Sequence, residues 1–400
     1  MWKTPFNSVG LYVLSPLLLA LALILVFFHI PLELWPYLGA LPILALVATI
    51  TIKTTVARRL SVSSSFNTTF RHRDHCLIIH IFTLLVLASG PVDVYVNGFK
   101  LLDPLSYAEL NGNGRYIRHI SSLCWTLVPI AYIFHHQAKL KPWLIIYSVV
   151  FSIIIIDRNR LLAAFYTLAL CSALTPDSAK ISPSAIATKA RNRLLLISMV
   201  VIAAFSGLGA LRSGLDAFMV ESSGATLREG MLPLRDIFYF IPPLLQQIIL
   251  YIAMPMVNFA TVFSEGFLNS EFLLSQLSPF GRDMFDAYPY APILVARFNV
   301  GTEFFPWLTY GGFLLVVPSF AFMVICFVLA ERLFKKLPNI FTLLIFLRLS
   351  YLMLFMGFAP QFYILLNIGF IVLMLILWAI SSWLFFGGRL RSVASGKLQA

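Results

Sequence analysis

The chain has 400 residues, of which 60% are hydrophobic and 12% charged, with a net charge of +12. Soluble domains carry about a quarter charged residues, so a water-soluble globular fold is excluded. The basic residues form no single patch. They sit in short loops between apolar runs, which excludes a nucleic-acid footprint and reads as a membrane-topology signal. The composition predicts an all-α chain: one transmembrane domain over 1–400, a polytopic helical bundle of about 10–12 spans.

In chain order, Lys3 precedes an apolar run from Gly10 to Ile30. That run is too long for a secretory leader and no small-residue cleavage site follows, so it reads as the first spanning helix. Further runs of near-spanning length fall at 35–52, 76–91, 117–134, 194–211, 306–330, 339–357 and 362–386. Two shorter runs, 143–156 and 161–174, flank Asp157-Arg158-Asn159-Arg160, which is too polar for lipid. Fourteen helical residues cover only ~21 Å against ~30 Å of hydrocarbon. The pair therefore reads as a hairpin whose tip is recessed below the outer surface.

The run 238–263 is long enough to span, but it carries Pro242, Pro243, Gln246, Gln247, Pro255 and Asn258. It reads as a re-entrant or peripheral helix within an outer loop region, 212–305. A second missed crossing nearby would give twelve spans. Irregular backbone at membrane depth is tolerated only against protein or a wet cavity.

Lys and Arg set the orientation. Eighteen of them lie at the termini and in the loops 53–75, 135–142, 175–193 and 331–338, which places these segments and both termini in the cytoplasm. The opposite side holds Lys100, Arg115, Arg118, Arg158, Arg160, Arg212, Arg228, Arg235, Arg282 and Arg297. Nine of these ten are arginine, against nine of eighteen on the cytoplasmic side. The guanidinium fork matches carboxylate or phosphate oxygens bidentately. Fourteen of the seventeen acids are also outside, so structural pairing competes with ligand binding for every one of these arginines. Aromatics scattered through 264–305 suit either the face of a sugar ring or an interfacial belt.

The chain has no G-x-x-x-x-G-K-[ST] loop, no H-E-x-x-H and no G-x-S-x-G. Cys76, Cys124, Cys171 and Cys326 lie in apolar runs without metal-ligand spacing, and no metal or cofactor is expected. All seven histidines lie at or before His136. A proton acceptor in the rest of the chain must then be an acid; Glu303 is the first candidate and Asp157 the next. Arg348 is the one basic residue deep in an apolar run. An unpaired arginine there costs at least ~2.5–3.5 kcal/mol, so it should be hydrogen-bonded. Gln361, Asn367, freed backbone carbonyls and the acids at the 157–160 turn are the available partners.

Four stretches resemble the Wzy-type O-antigen polymerases, the oligosaccharide repeat-unit polymerases of bacterial inner membranes. Asp157-Arg158-Asn159-Arg160 resembles that family's Arg-bearing turn between two helices. Leu211-Arg212-Ser213-Gly214 resembles the arginine that opens its large outer loop. Tyr251-Ile252-Ala253-Met254-Pro255 with Asn258 resembles its tyrosine–proline–asparagine segment. Asn299-Val300-Gly301-Thr302, with Phe305 and Tyr310-Gly311-Gly312, resembles its Asn/Thr stretch before an aromatic–Gly corner. The chain departs from the pattern at Thr309, where the family often carries an acid. Arg212 and Gly224 miss its Arg-x10-Gly spacing by one residue.

The resemblance covers roughly 150–320 and implies a glycosyltransferase-C-like bundle in the bacterial inner membrane, with both termini cytoplasmic and the chemistry in periplasmic loops. It implies metal-independent glycosyl transfer in O-antigen or related surface-polysaccharide synthesis. The donor would be a polyprenyl-pyrophosphate-linked glycan and the acceptor a second lipid-linked repeat unit. Membrane lipids and a polysaccharide chain-length regulator would be the further partners. Arg158, Arg160, Arg212, Arg228, Arg235, Arg297, Asn299 and Tyr251 would bind substrate, with Glu303 and Asp157 as the catalytic acids. Two alternatives stay open. An O-antigen ligase would relax the substrate reading, although this chain lacks the late outer-loop histidine associated with that activity. A lipid-linked oligosaccharide flippase would usually show internal repeats, and none is visible.

Overall fold

A computed structural model describes residues 10–55, 76–104, 106, 114–133, 140–174, 207–208, 234–278 and 300–396. Their helices, in chain order, are α1 (Ser15–Phe27), α2 (Trp35–Thr55), α3 (Cys76–Asn97), α4 (Gly114–Ser121), α5 (Leu127–Ile133), α6 (Leu140–Ile154) and α7 (Arg158–Leu174). There follow α8 (Asp236–Tyr239), α9 (Pro243–Glu265), α10 (Glu271–Leu277), α11 (Phe305–Gly311), α12 (Phe313–Lys336), α13 (Ile340–Leu354) and α14 (Leu365–Gly396).

Six stretches are long and apolar enough to cross a membrane: Gly10–Phe27, Leu32–Ile52, Leu77–Asn97, Leu245–Glu265, Phe313–Lys336 and Leu365–Leu384. Leu140–Ile154 and Ile340–Phe355 are shorter apolar helices. The protein is therefore an all-α polytopic membrane protein. Large apolar side chains such as Leu19, Ile43, Leu84 and Leu314 are exposed on these helices, as lipid-facing positions must be.

Fewer long helices are described than the ten to twelve expected, for two visible reasons. The run 194–211 lies almost wholly outside the described residues. The run 117–134 is built in three pieces: α4, a 3-10 turn over Ser122–Thr126, and α5. Pro129 has no N–H to offer the carbonyl of Trp125 and its ring crowds that carbonyl, so the chain tightens just upstream. The run around 238–263 holds one continuous helix, α9, through Pro255. In it 67% of the apolar window is buried, against 22–39% in the other five crossing candidates. That burial accounts for its polar residues: α9 is lined by protein, not lipid.

The chain forms two compact units. The first comprises Met1–Ser63, Asp216–Leu333 and Arg348–Phe370. Within it α9 packs on α1 and α2, and an isolated antiparallel bridge joins Phe28 to Leu234. Arg348, one residue past the middle of the 15-residue α13, donates from Nε to Asn367 Oδ1 at 3.0 Å and also from Nη2 to the same oxygen. Its guanidinium lies 5.4 Å from the Tyr351 ring centroid. The Asn367 amide in turn donates to the Gln361 carbonyl. Asn367 and Gln361 were both among the partners anticipated from the sequence.

The second unit comprises Ser64–Leu215, Phe334–Leu347 and Ile371–Ala400. Pro91 inside α3 leaves the Leu87 carbonyl without its helical donor. Tyr147 Oη of α6 donates to that carbonyl at 2.8 Å. Gly90 makes the approach possible, since a Cβ there would lie 1.9 Å from Tyr147 Oη. A proline–glycine pair and one phenol thus lock α3 to α6.

The Arg348–Asn367 contact should be worth more than an ordinary surface bond, because hydrogen bonds to a charged group contribute about 1.5–3 kcal/mol. Asn367→Leu should destabilise the protein by that amount, read as a lowered midpoint in thermal unfolding of the detergent-solubilised protein. An unchanged midpoint would show that Arg348 does not depend on Asn367.

Candidate anion site

The hairpin expected around 157–160 is present, with one shift. The turn is confined to Ile155–Asp157, and Arg158 and Arg160 occupy the first turn of α7. α6 ends in a double closure, Ile156 N–H to Ile153 O at 3.0 Å and Asp157 N–H to Ser152 O at 3.0 Å. That pattern needs a left-handed residue, usually glycine. Here it is Ile156, at φ 51°. Ile156 is fully buried with Leu161 and Leu208, against Leu101, Val149, Ile153 and Phe165.

Asp157 starts α7. Its Oδ1 accepts the Arg160 N–H at 3.1 Å and its Oδ2 faces Arg160 Nε at 3.0 Å. Arg160 Nη2 donates to the Arg118 carbonyl at 3.3 Å. Arg118, from α4, pairs through Nε with Asp93 of α3 at 2.8 Å. Asp93 is completely buried and accepts two further side-chain bonds, from Asn97 Nδ2 at 2.7 Å and from Ser121 Oγ. Asn97 also donates to the Gly114 carbonyl at 3.0 Å. Only glycine fits at 114, where a Cβ would fall 2.0 Å from Asn97 Oδ1.

This arrangement concentrates positive potential. The N-terminus of a helix carries about half a positive charge, and α7 places two arginines on it. Arg118 and Arg160 each pair with one aspartate, Asp93 and Asp157, and Arg158 adds a further positive charge at the start of α7. Arg118 Nη2 and Arg160 Nη1 are buried and have no hydrogen-bond partner among the described residues. The Arg118 and Arg160 side chains are 8% and 11% exposed, and Asp157 is 17% exposed. Two buried N–H-bearing nitrogens without acceptors among the described residues, beside the start of a helix, have the chemistry to receive an oxyanion.

The other sequence candidates fall elsewhere. Arg212, Arg228, Arg297 and Asn299 lie outside the described residues. Arg235, Tyr251 and Glu303 belong to the other unit. Arg235 is structural: its N–H bonds Phe27 O at 2.9 Å and its Nε bonds Phe28 O at 3.1 Å. Tyr251 packs its ring 5.8 Å from Phe358.

Glu303, expected as a proton acceptor, is 1% exposed. Its Oε2 accepts the N–H groups of Gln361 and Phe362 at 2.6 and 2.9 Å, and its Oε1 accepts that of Tyr363 at 3.2 Å. Its own N–H bonds Met356 O at 2.7 Å. Both carboxyl oxygens are thus committed to the loop between α13 and α14, which gives Glu303 a loop-holding role. Asp93 and Arg118 went unsingled in the sequence. The signal available was an acid inside an otherwise apolar spanning run, four residues before an Asn on the same helix face. Among the described residues no group of three or more His, Cys, Asp or Glu is placed to hold a metal ion.

Burial pushes the Glu303 carboxyl up, to about 8, against the pull of its three N–H donors. The folded state then holds this proton more tightly than the unfolded chain, whose value is 4.5. The resulting stabilisation is complete below about 4.5 and is lost as pH rises to about 8. Glu303→Gln should flatten the stability profile across that window in thermal unfolding scans. A mutant profile that keeps the wild-type slope would assign the slope to another group.

No family model matches the chain, and no curated protein or solved structure is significantly similar to it.

Proposed function

We propose that the protein is a membrane glycosyltransferase that polymerises polyprenyl-pyrophosphate-linked oligosaccharide repeat units on the periplasmic face of a bacterial inner membrane. The observation that carries this reading is the buried arginine pair, whose guanidinium nitrogens Arg118 Nη2 and Arg160 Nη1 lack acceptors among the described residues. The four family-like stretches supply the substrate class. In the reaction, an acceptor hydroxyl oxygen bonds to the anomeric carbon of the donor as the bond from that carbon to the pyrophosphate oxygen breaks. The electron pair leaves on the pyrophosphate, where negative charge grows. Arg118, Arg158 and Arg160 would stabilise it without metal, and the acceptor proton would pass to a carboxylate. Asp157 is less buried than Glu303 and lies beside these arginines, and it is the described acid we place in that role. A donor activated by its own pyrophosphate also agrees with a sequence that has no nucleotide-binding loop.

Removing one positioned donor to a developing oxyanion typically costs roughly 10²–10³ in rate. Arg158→Lys and Arg160→Lys keep the charge but lose the fork. Both should fall by about 10²-fold or more in liposomes supplied with polyprenyl-pyrophosphate-linked repeat units, scored as polymer ladders. Full-length ladders at wild-type yield from both variants would overturn the site. Movement of the lipid-linked substrate across the bilayer without new glycosidic bonds would replace the polymerase with a flippase.

The orientation has its own test. Ser270 is exposed at the start of α10. Ser270→Cys should react with a membrane-impermeant thiol reagent in cells whose outer membrane alone has been permeabilised. Protection of that thiol until the inner membrane is broken would invert the arrangement.

A further inference from the structure

We infer that Asp93 is a positioning residue for this anion site: it grips the Arg118 guanidinium by one edge, and its charge weakens the site's hold on the anion. The inference rests on the reading that Arg118 and Arg160 receive a pyrophosphate.

Asp93 sits in the last turn and a half of α3, completely buried, in a helix otherwise suited to lipid. A buried charge there is costly. Pairing does not turn that cost into a gain, because buried ion pairs roughly break even against an apolar replacement. Apolar packing would have joined α3 to α4 as well. What an apolar residue could not do is fix a direction. Asp93 faces Arg118 through Nε, and its own orientation is held by Asn97 from the same helix and Ser121 from α4. The guanidinium is planar and rigid, so gripping its Nε edge sets where the remaining nitrogens point. One of its two terminal nitrogens, Nη2, is buried without an acceptor among the described residues.

The second consequence is electrostatic. Asp93 places a negative charge directly against Arg118, which is linked to Arg160 through its backbone carbonyl. Neutralising Asp93 would leave the Arg118 charge without its counter-ion. Interaction that is equally strong with bound pyrophosphate and with the transition state does not speed turnover. It slows release of the leaving group. Asp93 therefore trades anion affinity for alignment. A merely structural ion pair predicts a different pattern, in which loss of Asp93 loosens the site and weakens both anion binding and turnover.

Asp93→Asn separates the two. It retains the size and one acceptor oxygen, and removes the charge. The readouts are kcat and KM for polymerisation in liposomes and the inhibition constant of inorganic pyrophosphate added as competitor. We expect kcat to fall by about 10- to 100-fold through misalignment while pyrophosphate inhibits about three- to tenfold more tightly. Unchanged kcat, or weaker inhibition together with lower kcat, would overturn the inference. If Asp93→Asn does not fold, Ser121→Ala removes one of the bonds that orient Asp93 and leaves every charge in place. It should lower kcat about fivefold with the inhibition constant unchanged, and wild-type kcat would again overturn the inference. Failure of pyrophosphate to inhibit even the wild-type protein would instead refute the anion site itself, whatever the variants do.

Discussion

A charged or polar side chain buried inside the protein is cut off from water, so its hydrogen bonds must be completed by other protein groups or by a ligand. That requirement organises both units. In the first, Arg348 and Glu303 are joined indirectly. The guanidinium binds the Asn367 side-chain oxygen, the Asn367 amide binds the Gln361 carbonyl, and the Gln361 N–H binds the Glu303 carboxyl. The chain of amides meets both side chains with dipoles while the loop between α13 and α14 is pinned at several points. In the second unit, Asp93 gathers three side-chain donors on one carboxylate. The two solutions differ in a way that bears on function. Around Glu303 the carboxyl oxygens are fully engaged. Around Asp93 the carboxylate is satisfied, while Nη2 of the arginine it faces has no acceptor among the described residues.

Backbone groups obey the same constraint. Pro91 strands a carbonyl, and a phenol from a neighbouring helix meets it. Pro129 lies in α5 just beyond a tightened turn. The prolines of α9 sit at its N-terminus, where no donor is needed, and at Pro255, within the most buried of the spanning helices. In each case the residue that argued against a lipid-facing helix is accommodated because another segment supplies protein in place of lipid.

Much of this was legible in the chain. The apolar runs gave the helices because length and hydropathy are strong signals in a membrane protein. The short hairpin followed from a polar tetrapeptide between two runs too short to span. The Arg348 partners followed from counting polar groups near the end of the chain. The role of Glu303 was not legible, because backbone N–H groups that receive a carboxylate leave no trace in residue types. The Asp93–Arg118 pair spans 25 positions of sequence, and no periodicity links an acid in one helix to a base in the next. The start of α7 was misplaced by three residues, because arginines look like loop residues when the carboxylate capping them is read as part of the same polar turn.

The turn that carries the candidate anion site is held against its own local preferences. Two cations at a helix N-terminus oppose its dipole at a cost of about 0.3–1 kcal/mol each. A β-branched residue in the left-handed region at 156 costs roughly 1–2 kcal/mol more. Asp157 offsets part of this as a cap, by about 1 kcal/mol, and burial of the Ile156 side chain contributes roughly 1.5–3 kcal/mol. The opposing contributions are comparable, so local preference alone does not fix the turn. It is held by the packing of Ile156 with Leu161 and Leu208. Glycine at 156 would make the same reversal without strain, but it would remove the side chain that anchors the reversal to its surroundings. The strained isoleucine therefore does what a relaxed glycine could not: it fixes the height and rotation of the first turn of α7, and with them the directions of Arg158 and Arg160.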